Sequence, residues 1–176
     1  DVGYGIDLDK AGNVYTTGFF EGTVDFDQGP NSFPLTSGIF ADAFILKMDS
    51  AGNFIWAKSV GGLALERGRS ISLREDGFVN VMGVFQNDGD FDPGHNIFTM
   101  TSFGVYDIFM LKLDTAGNYI WAKQIGGPDY EEAHEMVADS SGNTYITGTF
   151  QGTSDFDPGT ATYNLSAYQN TEDFFI

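Results

Sequence analysis

The chain contains no cysteine, and this absence excludes disulfide bonds and thiolate metal sites. Basic residues are also scarce, because 8 Lys and Arg stand against 25 Asp and Glu, which gives a formal net charge of -17. Such a surface repels the phosphates of nucleic acids and anionic lipids, so we exclude nucleic acid as a partner. It is suited instead to divalent cations or basic proteins.

Long apolar runs are missing as well. No stretch approaches the roughly 20 residues that a membrane-spanning helix needs, so we expect no membrane span. Helical periodicity is also missing, whereas glycine (23 residues) and phenylalanine (17 residues) are abundant. This composition is typical of short strands joined by glycine-dependent turns and predicts an all-β fold.

A unit of 65 residues recurs almost three times along the chain. Its most distinctive motif, Asp-Phe-Asp-x-Gly, lies at residues 25–29, 90–94 and 155–159. A second motif, Trp-Ala-Lys-x-x-Gly-Gly, lies at residues 56–62 and 121–127. Fixed spacing indicates one supersecondary unit used repeatedly, and we place the units at residues 1–62, 63–127 and 128–176.

Four copies of an Asp-x-x-Gly-Asn pattern predict hairpin turns at residues 9–13, 49–53, 114–118 and 139–143, whereas residues 74–78 keep only Gly77. Four strands per unit flank these turns, at residues 5–8, 14–20, 43–48 and 54–60 and at residues 70–73, 79–85, 108–113 and 119–125. A further apolar stretch at residues 33–36, 98–101 and 163–166 is predicted as either a short extra strand or a long loop.

The last strand of the first unit is apolar on both faces, because Phe54 and Trp56 lie on one face and Ile55 and Ala57 on the other. Such a strand needs cover on both sides. A four-stranded antiparallel sheet stacked between copies of itself meets that need, and this is the blade of a β-propeller. Solenoid repeats are usually shorter than 65 residues, which favours the blade.

The third unit stops at residues 173–176, which match residues 42–45 in the middle of a strand, so the third blade is incomplete. Propellers typically close with about four to eight blades, and an open arc exposes two apolar faces. We therefore expect a β-propeller segment with an incomplete ring. Either the chain is a piece of a longer polypeptide, or other segments complete the ring.

Several motifs together resemble a known family. They are Asp-x-x-Gly-Asn-x-Tyr-x-x-Gly at residues 9–18 and 139–148, Asp-Phe-Asp-Pro-Gly at 90–94, Asp-Ala-Phe-Ile-Leu-Lys at 42–47, and Gly-Asn-x-x-Trp-Ala-Lys-x-x-Gly-Gly at 52–62. The chain resembles the bacterial SBBP β-propeller repeats over its whole length. That resemblance implies a scaffold in secreted or surface proteins of Bacteroidetes-type bacteria, and it implies no catalytic residues. Asn80, where the other units have Tyr15 and Tyr145, departs from the pattern.

The recurring acidic motif offers the best candidate site. Its carboxylates, Asp25, Asp27, Asp90, Asp92, Asp155 and Asp157, are spaced like the opening of a calcium-binding loop. The further ligands of an EF-hand loop are missing, however. In the alternative interpretation the first Asp caps a tight turn that glycine completes. Calcium is therefore a candidate ligand, and no cofactor is required.

Other acidic and aromatic residues are assigned to structure. An acidic position recurs just after the double glycine of each preceding unit, at Asp1, Glu66 and Glu131. These carboxylates could join the candidate calcium site, but they are predicted as solvated surface groups. Tyr15, Tyr145, Phe20, Phe85 and Phe150 are predicted to pack the blades rather than stack on sugars. His95 and His134 lack metal-binding spacing, and no nucleophile signature is present.

We therefore expect a non-enzymatic scaffold of a secreted or cell-surface bacterial protein that contacts proteins or glycans. Recognition is expected in the variable loops, at residues 28–32, 94–97 and 159–162 and at residues 37–41, 103–106 and 167–172. The alternative is part of a propeller polysaccharide hydrolase or lyase whose active site lies in blades outside this chain, because propellers host both activities.

Overall fold

The structure is a computed structural model that describes residues 1–73, 77–139, 141 and 143–176, apart from the side chain of Asn170. Within these residues the secondary structure is strand, with one 3-10 turn and no α-helix. All paired strands are antiparallel apart from one isolated parallel bridge between Tyr106 and Tyr130. The prediction of an all-β fold is therefore confirmed.

The first four-stranded unit, here called blade 1, begins with β1 (Val2–Leu8) and β2 (Val14–Phe20). A small hairpin follows, made of β3 (Thr23–Asp25) and β4 (Pro34–Thr36). The blade ends with β5 (Asp42–Met48) and β6 (Phe54–Gly62). Its strands lie in the order β1-β2-β5-β6.

Blade 2 repeats this plan. Its strands are β7 (Glu66–Leu73), β8 (Phe78–Phe85), the hairpin of β9 (Asp88–Asp90) and β10 (Thr99–Thr101), then β11 (Asp107–Asp114) and β12 (Tyr119–Ile125). Blade 3 has β13 (Glu131–Ala138), β14 (Thr144–Gln151), the hairpin of β15 (Thr153–Asp155) and β16 (Asn164–Ser166), a 3-10 turn (Tyr168–Asn170) and β17 (Glu172–Phe175).

The predicted strands are all present, and two details go beyond the prediction. The apolar stretches at residues 33–36, 98–101 and 163–166 form short strands, each paired with the strand before the acidic motif. Strands β1 and β7 begin earlier than predicted, at Val2 and Glu66. Residues 74–76 of the turn around Gly77, and Ser140 and Gly142 of the fourth Asp-x-x-Gly-Asn turn, lie outside the described residues. The unit boundaries at 62/63 and 127/128 stay a prediction.

Adjacent blades are held together by two apolar clusters. The first joins blades 1 and 2 and includes Tyr15, Ile45, Val81 and Leu111, all fully buried. The second joins blades 2 and 3 and includes Met82 and Phe150. Burial of about 25 cal/mol per Å² of apolar surface makes these face-to-face contacts the main source of stability. The need for cover on both faces of a sheet is thus met by stacking.

The two outer sheet faces are left uncovered. Blade 1 exposes Ile6 and Leu8 along β1. Blade 3 exposes Val137, Tyr145, Phe174 and Ile176 on the opposite side of the stack. The described strands form no closed ring.

The outer strand of each blade reaches into the next repeat. Strand β6 extends two residues beyond its predicted end, and Gly61 and Gly62 pair with Asp90 and Gly89 of the hairpin in blade 2. Gly126 bridges to Asp155 in the same way. A Cβ on Gly62 would lie 2.2 Å from the Asp88 carbonyl oxygen, so only glycine allows this approach. The double glycine therefore joins neighbouring blades.

Candidate functional site

The three acidic motifs have the same geometry in all blades. In blade 1 the Asp25 Oδ1 accepts hydrogen bonds from the backbone N–H of Asp27 (3.1 Å) and of Phe33 (2.8 Å), and Asp27 Oδ1 accepts one from Gly29 (2.8 Å). The equivalent bonds recur at Asp90 and Asp92 and at Asp155 and Asp157. The first carboxylate therefore closes the loop, as the turn interpretation requires.

These hydrogen bonds favour the charged form of the first carboxylate. The Phe33 N–H lowers the pKa of Asp25, and the Tyr163 N–H lowers the pKa of Asp155. Burial acts to raise the pKa of the turn residues Asp9, Asp49 and Asp114, but the pKa of each is lowered overall, because hydrogen bonds from Asn13, Asn53 and Asn118 and from other loop N–H groups together outweigh burial. Both kinds of acidic turn are therefore structural devices in this fold.

The arrangement fits a calcium site poorly. Each blade keeps its own pair of aspartates, and the three pairs lie in separate hairpins. Within the described part of the chain, no group of three or more His, Asp or Glu side chains is placed to hold a metal ion. Calcium at Asp25, Asp27, Asp90, Asp92, Asp155 and Asp157 stays a prediction.

A melting experiment separates the two interpretations of this motif. We expect Asp90→Ala to destabilise the fold by about 1–3 kcal/mol, because the N–H groups of Asp92 and Phe98 lose their acceptor. We expect the melting temperature of the unsubstituted protein to be the same in EDTA and in excess Ca²⁺. A rise with Ca²⁺ that Asp90→Ala abolishes would instead establish a calcium site.

A second acidic cluster lies where adjacent blades meet, and the sequence prediction for it is wrong. Glu66 and Glu131 are fully buried rather than solvated, whereas Asp1 is exposed. Glu66 lies near the carboxyl of Asp42, and Glu131 near that of Asp107. Burial of a carboxyl without a cationic partner favours the neutral form. It raises the pKa of Glu66 to about 8 and that of Glu131 to about 7.

Asp42, Asp107 and Asp173 organise the loops that precede β5, β11 and β17. Each accepts a hydrogen bond from a loop N–H, donated by Gly38, Phe103 and Tyr168 respectively. The same loops present large apolar side chains to solvent, at Ile39, Phe40, Phe103, Val105 and Tyr168. These residues are here called the apolar loop set, and the sequence prediction located their loops without identifying them.

The remaining sequence predictions can be compared with the structure directly. Phe20, Phe85 and Phe150 are buried, as is Tyr15, so their packing role is confirmed. Tyr145 is 52% exposed because the described chain places no blade against it. Lys47 donates a hydrogen bond to the Thr115 carbonyl at 3.1 Å and lies over the Tyr15 ring. Lys112 lies over Phe78. His95 and His134 are exposed.

A comparison with known families identifies the repeat. Residues 120–156, from β12 to the hairpin of blade 3, match the model of the SBBP beta-propeller repeat. The chain contains an SBBP β-propeller repeat. The matched residues include β13 and β14, which form an antiparallel pair in blade 3.

Two relatives match a large part of this chain. The chain is 28% identical over 137 residues to "Regulatory protein FlaEY" of Caulobacter vibrioides, an alignment that covers 78% of this chain and 14% of FlaEY. It is 25% identical over 127 residues to the "Uncharacterized WD repeat-containing protein L264" of Acanthamoeba polyphaga mimivirus, covering 64% of this chain and 8% of L264. The chain therefore spans a small part of either relative.

No described helix has the length and apolar character to cross a membrane.

Proposed function

We propose that this chain is a non-enzymatic binding scaffold, the SBBP propeller portion of a secreted or cell-surface bacterial protein, and that it contacts proteins or glycans through its loops. The observation that carries this proposal is the apolar loop set. Its residues are exposed, and they lie on the loops that precede β5, β11 and β17, each held by a buried or half-buried aspartate: Ile39, Phe40, Phe103, Val105 and Tyr168. Exposed apolar groups on rigid loops are typical of recognition surfaces.

The net charge of -17 supports a basic surface on the partner. Acidic and basic surfaces attract one another and accelerate association, and this attraction weakens as salt rises. A partner with apolar anchors flanked by Lys or Arg would match both features of this surface. The secreted or surface location is supported by the resemblance to exported SBBP proteins.

The uncovered faces of blades 1 and 3 support a second part of the proposal, that further SBBP blades of the same polypeptide complete the ring. Val137, Phe174 and Ile176 on blade 3 lie at the repeat positions of Asp7, Ala43 and Ile45 on blade 1. Ala43 and Ile45 are fully buried against blade 2. A following blade would cover the same positions of blade 3 in the same way.

The test is a binding screen followed by substitution. The protein is immobilised and screened against a polysaccharide panel and a library of basic peptides. We expect Phe40→Ser with Phe103→Ser to weaken the best interaction at least about tenfold. The melting temperature should not change, because both side chains are exposed at 59% and 67%. Ile55→Ser on strand β6 is the matched control and should leave binding unchanged.

The same screen distinguishes the scaffold from an enzyme. Turnover of any polysaccharide that a single Asp or Glu substitution abolishes would overturn the proposal in favour of a propeller hydrolase or lyase. Binding that Phe40→Ser and Phe103→Ser leave intact would overturn the assignment of recognition to the apolar loop set.

A further inference from the structure

The two blade junctions have the same acidic architecture but differ in how it is compensated. At the junction of blades 2 and 3, Glu131 accepts hydrogen bonds from the Ser154 hydroxyl (2.5 Å) and the Gly127 N–H (3.1 Å). Its neighbour Asp107 accepts one from the Gln124 amide (2.9 Å). Each carboxyl here therefore has a side-chain donor as well as backbone donors.

The junction of blades 1 and 2 lacks both side-chain donors. The repeat positions of Ser154 and Gln124 are occupied by Gly89 and Ser59. Gly89 has no hydroxyl that could donate a hydrogen bond. Among the described residues Glu66 Oε1 has no hydrogen-bond partner, although the side chain is fully buried. Glu66 Oε2 accepts only the Gly62 N–H at 3.0 Å. An unpaired polar atom in this position is costly if the carboxyl is charged.

The two carboxyls of this junction lie against one glycine. A Cβ placed on Gly61 would lie 2.7 Å from Asp42 Oδ1 and 2.7 Å from Glu66 Oε2. Both groups thus face the same narrow space, Asp42 from blade 1 and Glu66 from blade 2. Within the residues that the structure describes, neither forms an ion pair with Lys, Arg or His.

The charged groups on the surrounding elements have other partners. Arg67, next along β7, lies over the Phe19 ring, and Arg69 pairs with Glu132. Lys47 donates a hydrogen bond to the Thr115 carbonyl, and the Lys58 side chain lies against Gly117.

The acidic groups nearby also have hydrogen-bond partners. On β9, Asp88 accepts a hydrogen bond from the Thr101 hydroxyl, and Asp90 accepts hydrogen bonds from the N–H groups of Asp92 and Phe98. On β1, Asp7 accepts a hydrogen bond from the Leu73 N–H. On β13, Glu135 accepts a hydrogen bond from the Ser70 hydroxyl, and His134 is exposed. Tyr15 bonds Asp9, and Tyr4 lies under Arg69. None of these groups neutralises Glu66.

We propose that the Asp42–Glu66 pair holds a proton at neutral pH and that this proton keeps blades 1 and 2 docked, so that the junction of blades 1 and 2 loses more stability in mild alkali than the junction of blades 2 and 3. The stability of the junction of blades 2 and 3 depends less on a bound proton, because Ser154 and Gln124 donate hydrogen bonds to Glu131 and Asp107. This pH dependence is a property of the fold and does not rest on the proposed function as a binding scaffold.

The direction of the change in stability with pH follows from the protonation of Glu66 in the folded and unfolded chain. In the unfolded chain the carboxyl has its ordinary pKa of 4.5, whereas burial first, and the Asp42 charge second, raise the pKa in the fold to about 8. Between these values the folded chain binds the extra proton, so stability is greatest below the unfolded pKa and falls as pH rises toward 8. Asp42 has its pKa raised by burial as well and adds to the fall.

Trp56 provides a local probe of this junction. It packs edge-on against Tyr15, and its indole N–H donates to the Thr115 carbonyl of blade 2 at 3.2 Å. Trp121→Phe leaves Trp56 as the only tryptophan, because the chain has two. Thermal unfolding followed by Trp56 fluorescence from pH 5 to pH 9 then reports on blades 1 and 2.

In the Trp121→Phe background we expect the melting temperature to fall by roughly 5–15 °C between pH 5 and pH 9. Glu66→Gln should remove most of this fall and raise the melting temperature at pH 9. Gly89→Ser introduces a hydroxyl at the repeat position of Ser154. It should reduce the fall in melting temperature while the Glu66 carboxyl is kept. The matched control Glu131→Gln should reduce it less than Glu66→Gln.

Two results would overturn the proposal. The first is a pH profile that neither Glu66→Gln nor Gly89→Ser changes, which would place the sensitive group elsewhere. The second is a fall that Ca²⁺ or Mg²⁺ suppresses and EDTA restores, which would assign a bound cation to the pair instead of a proton.

Discussion

Replacing Phe91 with alanine is expected to destabilise the fold by about 3–5 kcal/mol, a large share of the roughly 5–15 kcal/mol that holds a typical domain together. Phe91 is the central residue of the acidic motif in blade 2 and is fully buried. Its ring centroid lies 5.0 Å from that of Phe85 and 5.1 Å from that of Phe109. Removing the ring leaves a cavity between the hairpin and the blade, and the surrounding sheets cannot collapse into it.

Urea unfolding provides the measurement. The midpoint should fall strongly while the slope stays unchanged, because the substitution alters stability and not the surface exposed on unfolding. Phe156→Ala is the matched control. Phe156 occupies the same motif position in blade 3 and stacks on Phe150 and Phe175, but it is only partly buried. We expect Phe156→Ala to lower the free energy of unfolding clearly less, and equal losses at the two positions would contradict the link between the burial of this ring and its contribution to stability.

The sequence predicted the strands well because their signals are local. Glycine at Gly12, Gly52 and Gly117 has positive φ near +80°, which is the conformation that the predicted turns require. Apolar residues on both faces of the last strand of the unit then predicted cover on both sides of the sheet. The choice between a short strand and a loop at residues 33–36 could not be made, because it depends on pairing with Thr23–Asp25 and not on local pattern.

The junction carboxyls were missed because burial is a property of the neighbouring repeat. Glu66 and Glu131 follow the double glycine as surface acids could, and the sequence contains nothing local that distinguishes the two cases. A signal was nevertheless present. Asp42 and Asp107 recur at 65-residue spacing opposite glycines, at Gly61 and Gly126, where a Cβ would meet the carboxyl within 2.7 Å. A recurring acid paired with a recurring glycine indicates a close approach.

Tyr15 and Tyr145 also show that burial cannot be predicted from the local sequence. They occupy the same repeat position and make the same hydroxyl contact, to Asp9 at 3.4 Å and to Asp139 at 3.3 Å. Tyr15 is fully buried by blade 2, whereas Tyr145 faces solvent on blade 3. Local sequence determines the rotamer and the turn contact, while the next blade determines burial.

Gly83→Ala is expected to destabilise the fold by more than about 4 kcal/mol and to give insoluble or unfolded product. Gly83 lies in β8 opposite Gly68 and Phe109. An added Cβ would lie 2.0 Å from the Arg67 carbonyl oxygen and 2.6 Å from Phe109 Cε1. A backbone atom at that distance cannot yield, so the β7–β8 pairing must break or the Phe109 ring must leave the core.

The same contact recurs in every blade, which makes it a property of the repeat. A Cβ on Gly18 or Gly148 would lie 1.9 Å or 2.1 Å from the carbonyl oxygen of Val2 or Glu132, with a Phe ring above it. Gly3→Ala is the matched control, because nothing lies within 4 Å of its added Cβ, and its effect should stay within about 0.5 kcal/mol. Circular dichroism melts of the two variants decide the matter: if Gly83→Ala melts like Gly3→Ala, the Phe109 ring does not close over β8 and the packing of the blade described above is wrong.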